Sequence, residues 1–221
     1  HLAPANLLKI EVPDGSTAPG SAPGALEFLR AKKGGKYLGL QADPAFDPPL
    51  EEQRTVFGAS FRQNRAADPV TGATLSNVVT KARDLSPDAQ RDLLVAQIAI
   101  KYTQSNSVGY AKDGQMIGVG AGQQSRVDCV KLAGRKVATW YLRQHPKVRG
   151  LAFKEGIKRQ ERINARVRYI EGDMPPTELA QWREKFEAVP EPLTEEEKTA
   201  FLTSLSGVRR RASTGPPLGT W

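Results

Sequence analysis

The sequence of 221 residues predicts an α/β fold, because strand-like and helix-like patterns alternate along most of the chain. The strand-like runs, such as KYLGLQ at 36–41 and MIGVG at 116–120, are short and are bounded by glycine, proline or aspartate. The helix-like segments are longer and repeat their apolar residues at helical spacing. We therefore expect a mixed sheet packed with helices, followed by further helices towards the C-terminus.

The N-terminal part predicts a linker, one short helix and two strands. Residues 1–24 are rich in proline, glycine, alanine and serine, which is typical of a linker or a truncated connection. A helix is expected over 25–33, where a glycine pair ends it. The strand KYLGLQ follows, and prolines keep residues 42–52 extended as a loop. The alternating run at 54–63 predicts a second strand.

Helices dominate the remainder of the chain. Ser86 is well placed to cap a helix that is apolar over much of its circumference, so we expect that helix to be buried against a sheet. Helices are also expected at 126–143, 153–172, 175–189 and 193–205, the last with a capping box formed by Thr194 and Glu197. Residues 25–207 are assigned to one domain, and 208–221 to a disordered tail.

A hairpin and three glycines precede the helix at 126–143. The runs SVGYA and MIGVG are joined by Asp113 and Gly114, which favour a tight hairpin turn. Gly118, Gly120 and Gly122 follow. Two interpretations are open: the missing Cβ atoms make room for a ligand beside the helix N-terminus, or they are required for close packing.

Composition limits the classes of function. The formal net charge of +8 and the pI near 9.7 fit an anionic partner, which could be a phosphate-bearing metabolite, a carboxylate-rich cofactor or nucleic acid. A solvated basic surface is the alternative, and nucleic acid is the less favoured partner. With two histidines far apart and Cys129 as the single cysteine, the sequence predicts neither a zinc site nor an intrachain disulfide. No apolar run is long enough to predict a membrane span.

Three segments resemble the transformylase domain of the bifunctional enzymes that couple aminoimidazole carboxamide ribonucleotide (AICAR) formyltransferase to IMP cyclohydrolase. They are LSNVVTKARDL, KYTQSNSVGYAKDGQMIGVGAGQQSR and LAGRKVATWYLRQHPKV, and the resemblance extends from about Glu11 to Leu205. It implies a cytidine-deaminase-like fold, chiefly the second copy of a duplicated domain. It also implies 10-formyltetrahydrofolate as cosubstrate, no metal, a cytosolic homodimer, and AICAR as the formyl acceptor.

The resemblance also assigns site residues. It implies that Asn106 and Arg126 contact the nucleotide, and that Val127 and Asn164 lie on the folate side. Lys101 and Gln123 fall in matching motifs without an assigned role. The adjacent Lys-His pair that serves the family's proton transfer has no counterpart in this sequence, so we expect the chain to contain only part of an active site.

Two rival interpretations follow from the same residues. The chain could be a noncatalytic nucleotide-binding and dimerisation fragment, or an RNA-binding module that uses the basic run at 158–168. For that run, a solvated helix face is the commonest interpretation, followed by attraction of a folate glutamate tail and then by RNA binding. Cys129 is expected to be a packed small residue, and His145 a helix-end residue.

Overall fold

The computed structural model describes residues 13–212, with side chains through residue 205, and divides the chain into two compact units at the Ala67–Asp68 bond. Within residues 13–212 there are seven α-helices and six strands. The helices are α1 Pro23–Ala31, α2 Pro87–Lys101, α3 Arg126–Leu142, α4 Pro146–Arg149, α5 Arg159–Glu171, α6 Pro176–Arg183 and α7 Glu195–Ala212. The strands are β1 Gly15–Ala18, β2 Leu38–Gln41, β3 Glu51–Val56, β4 Ala59–Asn64, β5 Ser107–Lys112 and β6 Gln115–Ala121. The predicted α/β class is thus confirmed, although the strands form three two-stranded ladders and no single mixed sheet.

The N-terminal unit contains two of these ladders. Strand β1 pairs in parallel with β2, so residues 15–18, which the sequence assigns to a linker, form a strand. Its partner is distant in the chain, and local composition therefore gives no sign of the pairing. The single strand predicted at 54–63 is wrong, because Phe57 and Gly58 both have positive φ and form the turn of the antiparallel β3–β4 hairpin.

The C-terminal unit begins with a hairpin held between two helices. Strands β5 and β6 pair antiparallel around Asp113 and Gly114, which have φ of 53° and 77°, so the predicted hairpin is confirmed. Helix α2 begins after Ser86, whose hydroxyl oxygen accepts from the Ala89 N–H at 3.2 Å, as predicted. The expectation that this helix is buried is wrong: no residue of α2 is fully buried, and Ile98 is 46% exposed. Helix α2 is contacted by the two-stranded β5–β6 hairpin and by the short turn Gly72–Leu75, where the Thr74 hydroxyl donates to the Gln97 amide oxygen at 3.0 Å.

The rest of the C-terminal unit packs helices around an aromatic core. Trp182 lies at its centre, parallel to the Tyr169 ring at 5.9 Å between ring centroids and 4.5 Å from the Phe186 ring. Its indole N–H donates to the Ala165 carbonyl at 2.9 Å, so its polar atom is satisfied although the side chain is buried. The core is completed by smaller aliphatic residues, namely Leu142, Val148, Leu151, Ile170 and Leu193.

The helix ends in this region agree partly with the sequence. The capping box is confirmed: the Thr194 N–H donates to the Glu197 carboxylate at 3.0 Å, and the Glu197 N–H donates to the Thr194 hydroxyl at 3.2 Å. His145 caps α4, as expected of a helix-end residue. Helix α7 continues through residue 212, so the predicted tail is helical over 208–212. Its remainder, 213–221, and the linker residues 1–12 lie outside the described residues.

Two helices are shorter than predicted, because residues that precede α5 and residues that follow α6 pair in an isolated bridge. Helix α5 begins at residue 159 and α6 ends at residue 183. Phe153 and Phe186, which the sequence places in helices, instead pair in an antiparallel bridge with their rings 4.8 Å apart. Between residues 13 and 212, no helix has both the length and the apolar character that crossing a membrane requires.

Candidate functional site

Two glycines of β6 allow this strand to lie directly on α3. A Cβ at Gly118 would be 2.5 Å from the Ala133 carbonyl oxygen, and a Cβ at Gly120 would be 2.1 Å from the Cys129 carbonyl oxygen. Both distances are shorter than real Cβ contacts, and backbone atoms are in the way. The packing interpretation is therefore confirmed for these two glycines, and the expectation that they make room for a ligand is wrong.

Gly122 has a different role, at the junction that precedes α3. Its φ of 67° is in the left-handed region, which glycine adopts without strain. Its N–H is shared between two carbonyl oxygens, that of Gln104 at 2.9 Å and that of Asn106 at 3.0 Å. This glycine therefore joins the end of β6 to the segment that precedes β5.

Asn106 is fixed by its backbone. Its carbonyl oxygen accepts from the Gly122 N–H and also from the thiol of Cys129 at 3.0 Å. The residue is half-buried, and its side-chain amide makes no hydrogen bond to any side chain or backbone group of the described chain. The backbone is thus held against the first turns of α3, while the amide retains its full capacity to donate and accept.

Arg126 and Val127 open α3. Ser125 caps the helix, since its hydroxyl oxygen accepts from the Asp128 N–H at 3.0 Å. The same hydroxyl donates to the Asp128 carboxylate at 2.8 Å, so the chain itself places one negative charge at the positive end of the helix. Arg126 is exposed and forms no ion pair within the described residues, and Val127 is 61% exposed.

The thiol of Cys129 brings Asn106 and Arg126 into one neighbourhood. Cys129 is fully buried, as the sequence predicts, and lies one helical turn after Arg126. The Asn106 carbonyl is bonded to that turn, so both predicted nucleotide contacts lie at the same end of α3. Two cavities of the C-terminal unit, of about 420 and 270 Å³, are lined by other residues.

Of the other residues singled out from the sequence, Gln123 directly precedes α3, and within the described residues neither its side chain nor those of Lys101 and Asn164 form a hydrogen bond to Asn106 or Arg126. Asn164 is exposed on α5, and the ion pair that joins α5 to α3 uses Arg135 and Glu171, about 12 Å along α3 from Val127. The Lys101 ammonium donates to the Asp68 carbonyl at 2.7 Å, and the Gln123 amide donates to the Ala121 carbonyl at 3.1 Å. The Gln123 contact is local, whereas the Lys101 contact joins residues 33 apart in the chain.

One carboxylate holds the tip of the hairpin to α2. Asp92 accepts from the N–H groups of Gly114 at 2.8 Å and Asp113 at 3.0 Å, and from Arg91. Burial acts to raise the pKa of Asp92, but these hydrogen bonds outweigh it and lower the pKa below its ordinary value. The hairpin is therefore fixed at its tip by Asp92 and at its open end by Asn106 and Cys129.

Sequence reasoning missed the function of Cys129 as a donor. The sequence contained part of the information needed. The face of α3 that meets the glycines of β6 is formed by residues spaced four apart, namely Cys129, Ala133 and Val137. Small residues on both elements predict close contact. The hydrogen bond from the thiol to Asn106 depends on that contact and has no local pattern of its own. Within the described residues, no group of acidic, histidine or cysteine side chains could hold a metal ion.

The chain belongs to a family of two-activity enzymes: residues 2–136 match the family described as the AICARFT/IMPCHase bienzyme, which is more than half of the sequence. Similar proteins include the bifunctional purine biosynthesis protein PurH of Cereibacter sphaeroides, in strains ATCC 17029, ATCC 17025 and ATCC 17023. Each is 40% identical over 119 residues, which are 54% of this chain and 22% of the relative. The chain therefore spans about a fifth of the length of these relatives. The family resemblance expected from residues 101–126 is confirmed.

Proposed function

We propose that this chain contributes to the transfer of a formyl group from 10-formyltetrahydrofolate to the 5-amino group of AICAR, in the biosynthesis of IMP. Membership of the family and the name of the PurH relatives support this proposal. In it, Asn106 and Arg126 hold the nucleotide, and Val127 and Asn164 lie on the folate side. The cytidine-deaminase-like fold, the homodimer and the cytosolic location are parts of the same proposal.

The observation that carries the proposal is the double hydrogen bond to the Asn106 carbonyl. Gly122 and Cys129 hold the backbone of Asn106, and the polar atoms of its side-chain amide are not used in doing so. A side-chain amide can donate to one group and accept from another, which suits the carboxamide and amine of AICAR. The guanidinium of Arg126 can form paired hydrogen bonds to a phosphate.

The chemistry requires more than these residues. The amine of AICAR attacks the formyl carbon, a proton leaves the nitrogen, and negative charge develops on the formyl oxygen before tetrahydrofolate departs. No lysine is followed by histidine in this sequence, so we assign proton transfer and oxyanion stabilisation to other residues of the whole protein. This chain supplies the nucleotide-holding part of the site.

Binding of AICAR to the full chain tests the proposal, with calorimetric titration as the measurement. Arg126→Ala removes a charge-assisted contact worth about 1.5–3 kcal/mol, so we expect affinity to fall by roughly 10-fold to 100-fold. Asn106→Ala removes neutral hydrogen bonds, and roughly a 5-fold loss is expected. The Asn106 backbone contacts remain in that variant, so its thermal stability should not change.

Lys131→Ala is the matched control, because Lys131 is an exposed cation on the same helix. An equal loss of affinity in this variant would attribute binding to net charge and would contradict the proposal. Turnover with 10-formyltetrahydrofolate then separates the enzyme from the second candidate, a noncatalytic nucleotide-binding fragment, which the missing Lys-His pair favours. That fragment would bind AICAR and release no formylated product.

A further inference from the structure

The basic residues of α5 and its N-terminus do not share one environment. Arg168 is neutralised by Glu178, Glu171 and Asp173, with N–O distances of 2.6–2.9 Å. Arg159 is exposed at the start of the helix. Arg162 and Arg166, one turn apart, instead lie over an aromatic ring and have no acidic partner among the described residues. The interpretation of the basic segment 158–168 as a solvated helix face therefore holds for only some of its residues.

The ring beneath these two arginines is rigidly held. The guanidinium of Arg166 lies 5.2 Å from the centroid of the Phe153 ring, and that of Arg162 lies 5.8 Å from it. Its own position is set by the bridge to Phe186 and by two flanking hydrogen bonds, from Lys154 N–H to the Lys185 carbonyl and from Glu187 N–H to the Ala152 carbonyl. Two cations thus share one fixed aromatic ring.

Each guanidinium is also oriented by its inner nitrogen. Arg162 Nε donates to the Ile157 carbonyl at 2.9 Å, and Arg166 Nε donates to the Val148 carbonyl at 3.3 Å. The outer nitrogens, Nη1 and Nη2, of both side chains have no acceptor within residues 13–205. The hydrogen bonds of the inner nitrogens and the contact with the ring orient both guanidinium groups. The two guanidiniums together carry four NH₂ groups that can donate to a ligand.

The electrostatics of this pair are unfavourable without a counter-ion. Burial lowers the pKa of the Arg166 guanidinium below its ordinary value, and the positive charges of Arg162 and Arg143 lower it further. Like charges in a half-buried position destabilise the folded chain unless an anion offsets them. An oxyanion that accepts from both guanidiniums would remove this repulsion and would satisfy the outer donors at the same time.

We propose that Arg162 and Arg166, held over Phe153, form a binding site for a multivalent oxyanion, either a phosphate compound or a polycarboxylate. The site lies beyond residues 2–136, the segment that matches the family. It is independent of the proposed folate contact, because Asn164 is about 160° around α5 from both arginines. Loss of one site therefore leaves the other intact.

Titration of the full chain with pyrophosphate and with citrate, at constant ionic strength, tests the inference. We expect at least one of them to bind, and we expect the double variant Arg162→Gln with Arg166→Gln to weaken that binding at least tenfold. Tighter binding of pyrophosphate indicates phosphate chemistry, and tighter binding of citrate indicates carboxylate chemistry. Arg159→Gln, which removes an exposed charge from the same helix, should bind as the wild type does.

Two results would overturn the inference: no binding of either probe, whether or not a short single-stranded RNA binds, or an equal loss in Arg159→Gln. Because the double variant could be unstable, a second measurement uses the wild-type chain. Phenylglyoxal modifies arginine, and peptide mapping follows the rate at each residue. Slower modification of Arg162 and Arg166 with the bound probe than with chloride supports the site, and equal rates overturn it.

Discussion

The two halves of the C-terminal unit achieve close packing in different ways. The half that contains β5, β6 and α3 brings backbone against backbone, since Gly118 and Gly120 leave no space for a Cβ beside α3. The half that contains α4 to α7 packs large side chains around Trp182. The contact of β6 with α3 requires glycines that lack a Cβ, whereas the core around Trp182 requires large side chains.

This difference predicts different responses to mutation. An aromatic core can relax around a smaller side chain, so its loss of stability is graded with the volume removed. A strand that touches a helix backbone cannot accept even a methyl group without moving one of the two elements. Two experiments test this contrast and a third compares both contacts with the hydrogen-bonded hairpin tip; they are ordered here from the largest expected effect to the smallest.

Removing the central indole should have the largest effect. Trp182→Ala deletes a side chain that is 6% exposed and contacts Tyr169 and Phe186, so we expect a loss of about 3–5 kcal/mol in the free energy of unfolding. Urea unfolding followed by circular dichroism measures it. Trp182→Phe keeps an aromatic ring and loses the hydrogen bond to the Ala165 carbonyl, so its cost should be intermediate. Equal costs for the two variants would contradict a graded response.

Adding a single carbon to β6 should cost nearly as much. In Gly120→Ala the new Cβ would meet the Cys129 carbonyl at 2.1 Å, and we expect a loss of about 3 kcal/mol in the same unfolding assay. Gly134→Ala is the control, because Gly134 lies within α3 with open space around the Cβ position. There the substitution should stabilise the chain by about 0.5–1 kcal/mol through helix propensity. A similar sign for both substitutions would refute the packing argument.

The hairpin tip gives the smallest effect and a dependence on pH. Asp92→Asn weakens the acceptor of the Asp113 and Gly114 N–H groups, so we expect a loss of about 1 kcal/mol at neutral pH. The folded pKa of Asp92 lies below the ordinary value of about 3.9. The stabilisation is therefore complete above that value and is lost as the pH falls through the lowered folded pKa.

Unfolding measured from pH 7 to strongly acidic pH distinguishes this mechanism from a general charge effect. The difference between wild type and Asp92→Asn should disappear at the acidic end. Asp88→Asn removes a carboxylate that is 80% exposed and is expected to change stability by less than about 0.5 kcal/mol. A difference that persists at acidic pH would show that the Asp92 carboxylate charge is not responsible.

Features with short-range causes were predictable from the sequence. Ser86 caps α2, Asp113 and Gly114 turn the β5–β6 hairpin, and Thr194 pairs with Glu197, because each involves residues close in the chain. The family was also predictable, from the segment at 101–126. For the candidate site, residue type and position made Asn106 and Arg126 candidates for ligand contact, and the resemblance assigned both to the nucleotide.

Features with long-range causes were not predictable. The parallel pairing of Gly15 with Leu38 has no local signature, and the apolar pattern of α2 does not reveal how little of the helix is covered. The different environments of Arg162 and Arg168 also arise from distant partners, Phe153 for one and Glu178 for the other. The charge pattern of the sequence does not distinguish the environments of these two arginines.

The buried thiol gives this chain a built-in reporter. Cys129 is the single cysteine of the sequence, is fully buried, and bonds to the Asn106 carbonyl. A thiol-specific reagent can therefore label the native protein only after β6 separates from α3 or the chain unfolds. The labelling rate of the unmodified protein thus measures how often the neighbourhood of Asn106 opens, without the introduction of any probe.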